Sequence, residues 1–233
     1  MGDLIGDLNE VGLRLTTWIL PVLLAVTLHE AAHGLAADRL GDNTARMLGR
    51  VSLNPLRHVD LVGTIILPAV LTLMRVPFLF GWAKPVPVNF RKLRNPRRDM
   101  VLVAAAGPAM NLLLAVLGAV MILGDSYLPY WARDWGHQNL VNLVEINVVL
   151  AVFNLWPIPP LDGGRIAVGL LPYRLAYPLA RLEPFGFFIV LGLVFLLPSL
   201  LRTLGIAFDP AYWLIAVPSN AIIRVIASAL GLA

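Results

Sequence analysis

Residues 12–38 read GLRLTTWILPVLLAVTLHEAAHGLAAD, an apolar run that carries the string HEAAH, His29 to His33, near its end. A membrane span needs roughly 20 mostly apolar residues, and this run is long enough. Histidines four residues apart share one helix face, about one turn separated. Both imidazoles can therefore reach one metal ion, and Glu30 between them can serve as general base on a metal-bound water. Alone, the five-residue pattern recurs by chance and more often marks an ordinary helix surface. Inside a membrane-length helix, three ionisable side chains are costly unless they are buried together and used.

The rest of the composition agrees with a membrane setting. The chain of 233 residues is 58% hydrophobic and 14% charged, with mean hydropathy +0.78. A soluble domain carries about 25% charged residues. The expected fold class is an all-α polytopic membrane protein. Cysteine is absent, which excludes disulfides, thiolate zinc sites and cysteine nucleophiles. The net charge of +4 does not indicate nucleic acid, because the basic residues cluster between apolar runs, where they set orientation. The first run follows Asp3, Asp7 and Glu10 rather than a basic start and holds HEAAH, so it reads as a retained segment and not a signal peptide.

Six apolar segments emerge, at about 12–38, 61–81, 100–124, 139–157, 185–204 and 211–231. The connections between them are short, and the whole chain, 1–233, reads as one integral membrane domain with its core over about 12–170 and C-terminal helices over about 185–231. Basic residues fill 39–58 (Arg39, Arg46, Arg50, Arg57), 82–98 (Lys84, Arg91, Lys92, Arg94, Arg97, Arg98) and 158–184 (Arg165, Arg174, Arg181). Loop 125–138 has Arg133 among Tyr127, Tyr130, Trp131 and Trp135. The charge rule puts the first three stretches in the cytoplasm and 125–138 outside. A single crossing by 61–81 would separate two basic loops, and the segment holds Pro68, Arg75 and Pro77. About five transmembrane helices are therefore expected, plus a segment over 61–90 that enters the membrane and returns, part helix and part extended strand. The alternative is six full spans with the charge rule broken at one loop.

A catalytic zinc takes three protein ligands and one open position. HEAAH supplies two. Candidates for the third are His58, Asp60, His137, Glu145 and Asp162. His137 falls in the outer loop and Glu145 towards the outer end of the fourth segment. Asp162, in NLWPIPPLDGGRI, follows the point where the fourth segment reaches the side on which HEAAH ends. Pro157, Pro159 and Pro160 stop the helix, and Gly163 with Gly164 permits close backbone approach. Asp162 is thus the topological choice, against the plainer reading of a turn aspartate.

HEAAH, then AGPAMN (Ala106 to Asn111), then FNLWPIPPLDGG (Phe153 to Gly164) resembles, in order, the motifs of the site-2 protease family of intramembrane zinc metalloproteases. The resemblance covers most of residues 25–170. It implies one zinc held by His29, His33 and Asp162, and Glu30 activating the attacking water. It implies that Asn154 helps hold the substrate backbone or the oxyanion, against the plainer role of a helix-to-helix hydrogen bond. It also implies that FGWAKPVPVNF (Phe80 to Phe90) resembles the family's membrane-associated strand region, which could bind an extended substrate by strand addition. The chain has no room for the PDZ or nucleotide-sensing domain of many members, so the expected form is minimal.

Gly107, Pro108 and Asn111 read as helix-packing residues, and packing is the default for Asn147. The expected partners are a membrane-protein substrate with a transmembrane segment and the lipid bilayer, not nucleic acid. No organellar targeting segment is visible, so a prokaryotic plasma membrane is expected, with the zinc site towards the cytoplasm. The rival is a metal-handling or transport protein that does not hydrolyse. A transporter calls for ligands along a path and inverted repeats, whereas the ligands here lie at one end and no repeat is found. Glu30 also argues for hydrolysis over simple binding or a silent relative.

Overall fold

A computed structural model describes residues 2–52, 54–67, 70 and 84–232. Among these residues the chain is all-helical, with no strand. Four described stretches are long and apolar enough to cross a membrane: Leu15–Arg39, Pro96–Ile122, Tyr173–Thr203 and Tyr212–Ala229. The chain is a multi-pass membrane protein.

The first apolar run lies in helix α1 (Gly2–Arg39). A short helix α2 (Thr44–Met47) follows. Helix α3 (Pro96–Ile122) opens on a proline, whose missing N–H costs nothing in a first turn. Asp99 closes that turn by accepting the Asn95 N–H at 2.8 Å. Helix α4 (Tyr130–Asn154) has 25 residues, which at about 1.5 Å per residue also matches a bilayer. It is more polar than the four stretches above. Its asparagines explain why: Asn139, Asn142 and Asn147 are buried. Asn142 donates to the Thr17 carbonyl of α1 at 3.0 Å, and Asn147 accepts from Asn111 of α3 at 2.8 Å. Polar groups that face other helices do not meet lipid.

The stretch expected as a cytoplasmic loop after α4 is largely helical, with α5 (Asp162–Leu170) and α6 (Tyr173–Ala180). The C-terminal part continues through α7 (Gly186–Leu191), a π-helical turn Gly192–Leu196 and α8 (Leu197–Thr203). A second π-helical turn, Tyr212–Ala216, leads into α9 (Val217–Ala229).

Helix α3 is central and packs on α1, α4 and α5. Its small Ala115 and Ala119 admit Val144, Val148 and Val152 of α4, and Ile222, Ile223 and Ile226 of α9 cover them. Close approach through small residues is how helices associate in lipid, where no hydrophobic force separates side chain from solvent. At the other end, Ala37, Leu93 and Val103 form a second cluster with Val88 and Phe90 against it.

Of the expected re-entrant stretch, Leu61–Ile66 is a helical turn capped by Asp60, which accepts the Val62 and Gly63 N–H groups at 3.1 and 2.7 Å. Residues 71–83, with Arg75, Pro77 and Trp82, lie outside the described residues, as does Pro68. Residues 84–89 are not a strand. Pro85 and Pro87 have no N–H to give a ladder. The segment is instead tied to its surroundings one bond at a time. Lys84 N–H donates to the His58 carbonyl at 2.8 Å, Val86 N–H to Glu30 Oε2 at 2.7 Å, Asn89 N–H to Asp42 Oδ2 at 2.6 Å and Arg94 N–H to the Leu40 carbonyl at 3.0 Å.

Asp42 is the central tie. It is buried and also accepts the Thr44 N–H at 3.0 Å and the Thr44 hydroxyl. Burial pushes its pKa up, but the bonds from Thr44 and Asn89 outweigh it and hold the carboxyl below its ordinary value of 3.8. Its contribution to stability is therefore full above pH 3.8 and lost as pH falls below it. Asp42→Ala is expected to cost about 1–3 kcal/mol, since it strands three part-buried donors. Thermal unfolding in detergent should show the lowered midpoint, and limited proteolysis should show new cleavage within 84–94.

Candidate metal centre

Helices α1, α3 and α5 meet around three converging side chains. His29 and His33 of α1 and Asp162 of α5 are all buried. His29 Nε2 and His33 Nε2 are 3.0 Å apart, and Asp162 Oδ2 lies 3.3 Å from each. The helix spacing of HEAAH delivers the first two donors. The third comes from the first residue of α5, where the helix N-terminus favours a carboxylate.

Close packing makes the convergence possible. A Cβ on Gly107 of α3 would collide with His33 Nε2 and lie 2.6 Å from His29 Cε1. Only a glycine leaves the imidazoles their space. On the other side, Gly163 and Gly164 press against the turn that ends α4. A Cβ on Gly163 would strike the Leu155 carbonyl, and one on Gly164 would lie 2.6 Å from Pro159 Cα. This contact aims Asp162 back at α1.

The ring orientations decide what the site can hold. His33 Nδ1 donates to the Val103 carbonyl at 2.7 Å, and His29 Nδ1 to Asn111 Oδ1 at 2.5 Å. Each neutral ring then turns a bare Nε2 lone pair inward. Asp162 Oδ2 is buried and has no hydrogen-bond partner. Three electron-rich atoms thus face one another in a buried site, and a cation satisfies them all. Tetrahedral zinc with bonds of about 2.0–2.2 Å sets its donors about 3.3 Å apart, which matches the observed triangle. Among the described residues this is the group of His, Asp and Glu side chains arranged to hold a metal ion. Its donor set fits zinc.

The other candidates lie elsewhere. His58 donates through Nε2 to the Ser52 carbonyl at 2.9 Å. Asp60 caps the turn after it. His137 pairs with Asp125 at 2.6 Å. Glu145 is exposed on α4. Glu30 stands outside the metal group, with its Oε2 accepting the Val86 N–H. Asn154 Nδ2 donates to the Leu150 carbonyl of its own helix at 3.0 Å. Reading the sequence for packing missed two residues that touch the ligands, Gly107 and Asn111. The signal was their place in AGPAMN, one face of α3 opposite HEAAH.

Comparison with known proteins supports this chemistry. The chain is 37% identical over 181 residues to YwhC of Bacillus subtilis, covering 75% of this chain and 78% of that one. It is 31% identical over 214 residues to Rip2 of Mycolicibacterium smegmatis, covering 91% and 77%. It is 32% identical over 194 residues to Rip2 of Mycobacterium tuberculosis, covering 82% and 70%. All three are named as candidate zinc metalloproteases. No model of a known protein family matches the chain, and no solved structure matches it.

Gly107→Ala tests the cradle. The added methyl must displace an imidazole, so zinc affinity is expected to fall at least tenfold, by the measure of disturbed ligand support. Chelator competition on purified protein would read it. Circular dichroism should remain that of the parent.

Proposed function

This chain belongs to the site-2 protease family of zinc metalloproteases, and from that premise we propose that it is an intramembrane endopeptidase that cuts transmembrane segments of membrane proteins. The observation that supports the reading is a buried metal-ligand set in which His29 and His33 lie on a helix of membrane-spanning length and Asp162, from a short helix, closes on them. Its cofactor is zinc, which when bound supplies Lewis acidity, acidifying water and polarising a peptide carbonyl.

The chain's own groups do the rest. His29, His33 and Asp162 hold the metal. Glu30 takes the proton from the attacking water and returns it to the leaving amine. The Val86 N–H, at 2.7 Å, holds the Glu30 carboxylate in place. Asn154 turns its amide from the Leu150 carbonyl towards the developing oxyanion. A helical substrate shields its own peptide bonds, so it must unwind locally before it is cut. The unwound stretch could align beside residues 84–89, which run next to Glu30 without regular pairing.

The proposed topology is five spans, with α4 the fifth beside the four apolar stretches, and a segment over 61–90 that enters and returns. Loops 39–58 and 82–98 then share the cytoplasmic side of a prokaryotic plasma membrane, close to the metal site. The whole chain acts as one membrane domain. Release of a soluble fragment, for signalling or for clearance of membrane remnants, is the output.

Cleavage of a panel of tagged transmembrane substrates in detergent tests the activity. Glu30→Gln is expected to abolish cleavage and keep zinc, because it removes the base and leaves the ligands. Asp162→Ala is expected to lose zinc as well. Cleavage by Glu30→Gln at the parent rate would overturn the role of Glu30. The topology has its own test, helped by the absence of cysteine. Single cysteines at the exposed positions 47 and 95 should react with an impermeant reagent from the same side, and labelling from opposite sides would refute re-entry.

A further inference from the structure

We infer that Asn111 and Asn147 are positioning residues for the metal site: a chain of amide hydrogen bonds, anchored on two backbone carbonyls, holds His29 as the tautomer whose Nε2 is free to bind zinc. The inference rests on His29 being a ligand. It adds α4, which supplies no ligand, to the elements that set metal affinity.

The direction of every bond in the chain follows from its anchors. Asn147 Nδ2 donates to the Leu143 carbonyl at 2.8 Å. Asn111 Nδ2 donates to the Ala25 carbonyl at 3.2 Å. A backbone carbonyl only accepts, so the atom facing each must be the amide nitrogen. That turns Asn147 Oδ1 to Asn111 Nδ2, at 2.8 Å. It also turns Asn111 Oδ1 to His29 Nδ1, at 2.5 Å. An oxygen there can only accept, so His29 Nδ1 must carry the hydrogen. The lone pair is left on Nε2, the atom 3.3 Å from Asp162 Oδ2.

Burial and position support a specific role. Asn111 and Asn147 are both 0% exposed and lie within helices of spanning length. An amide pair between membrane helices adds only about 0.6 kcal/mol on average, little reason to carry two buried amides for packing alone. The two histidines are also held differently. His33 leans on a backbone carbonyl, Val103, which no substitution removes. His29 leans on a side chain. The dependence should therefore be specific to His29.

The test uses the full chain purified in detergent, with zinc affinity read by competition against a chromophoric chelator. Asn111→Leu removes the acceptor and should weaken zinc binding 10- to 100-fold, the usual cost of losing such a partner. Asn111→Asp keeps an acceptor at His29 and should stay close to the parent. Asn147→Leu, which touches no ligand, should fall between them. A packing role gives the opposite order, because leucine suits a buried membrane site and a buried carboxylate does not. Should the aspartate variant fail to fold, nitrogen-15 spectra of labelled imidazoles decide, since the chain has only four histidines. The parent without metal should show His29 protonated at Nδ1, and Asn111→Leu should lose that single tautomer. Parent-like affinity in Asn111→Leu, or a His29 proton on Nε2, would overturn the inference. A parent chain that binds no zinc would instead overturn the ligand reading beneath it.

Discussion

Mutual repulsion among three lone-pair donors is the constraint that the site is built around. His29 Nε2, His33 Nε2 and Asp162 Oδ2 stand within 3.3 Å of one another, in a buried place where water cannot screen them. Left to themselves they would move apart. Each is prevented by a different element. The helix spacing of α1 fixes the two histidines relative to each other. Helix α3 holds both rings from behind, through Val103, Asn111 and the space left by Gly107. The turn after α4 holds Asp162 through the backbone contacts of Gly163 and Gly164. A metal that relieves the repulsion also joins α1 to α5, so metal affinity and helix packing are expected to be coupled quantities.

The same economy governs the polar residues elsewhere in the bundle. A backbone or amide group in lipid has no water to bond, so it must find a partner within the protein. Helix α4 satisfies this by turning its asparagines inward, towards α1 and α3. Its remaining polar residues, such as Asp134 and Glu145, are exposed. That is why α4 has a spanning length but falls outside the four apolar stretches. A hydropathy average counts residues and not the directions in which they point.

This difference also explains what could be read in the sequence. HEAAH was legible because period and chemistry coincide: the spacing fixes the face, and only a metal gives three ionisable groups on a membrane helix a use. Asp162 was legible from topology, because prolines and glycines bracket it where the chain must turn. Asn111 and Gly107 were not, since an asparagine or a glycine in an apolar helix looks the same whether it supports a neighbouring helix or an imidazole. The choice depends on which residue of another helix lies opposite, information that no local pattern holds. The strand expected over 80–90 followed the family resemblance, while Pro85 and Pro87 already argued against a paired ladder in its described part.

Those two prolines have a positive consequence at Glu30. Val86 sits between residues that have no N–H, so its own amide is the single main-chain donor in the run 85–87. It donates to Glu30 Oε2. A slip of the segment by one residue in either direction would bring a proline nitrogen to the carboxylate, and the bond would vanish. The slip would also move Val86 from its buried place against Gly34. Register here is therefore fixed twice, by the alternation of donors and by the burial of Val86. The outer ties at Asp42 and Leu40 hold the segment's far end and resist the same slip. The placement of Glu30, the proposed general base, is thus written partly in a segment remote from HEAAH in sequence, through the pattern Pro-Val-Pro-Val.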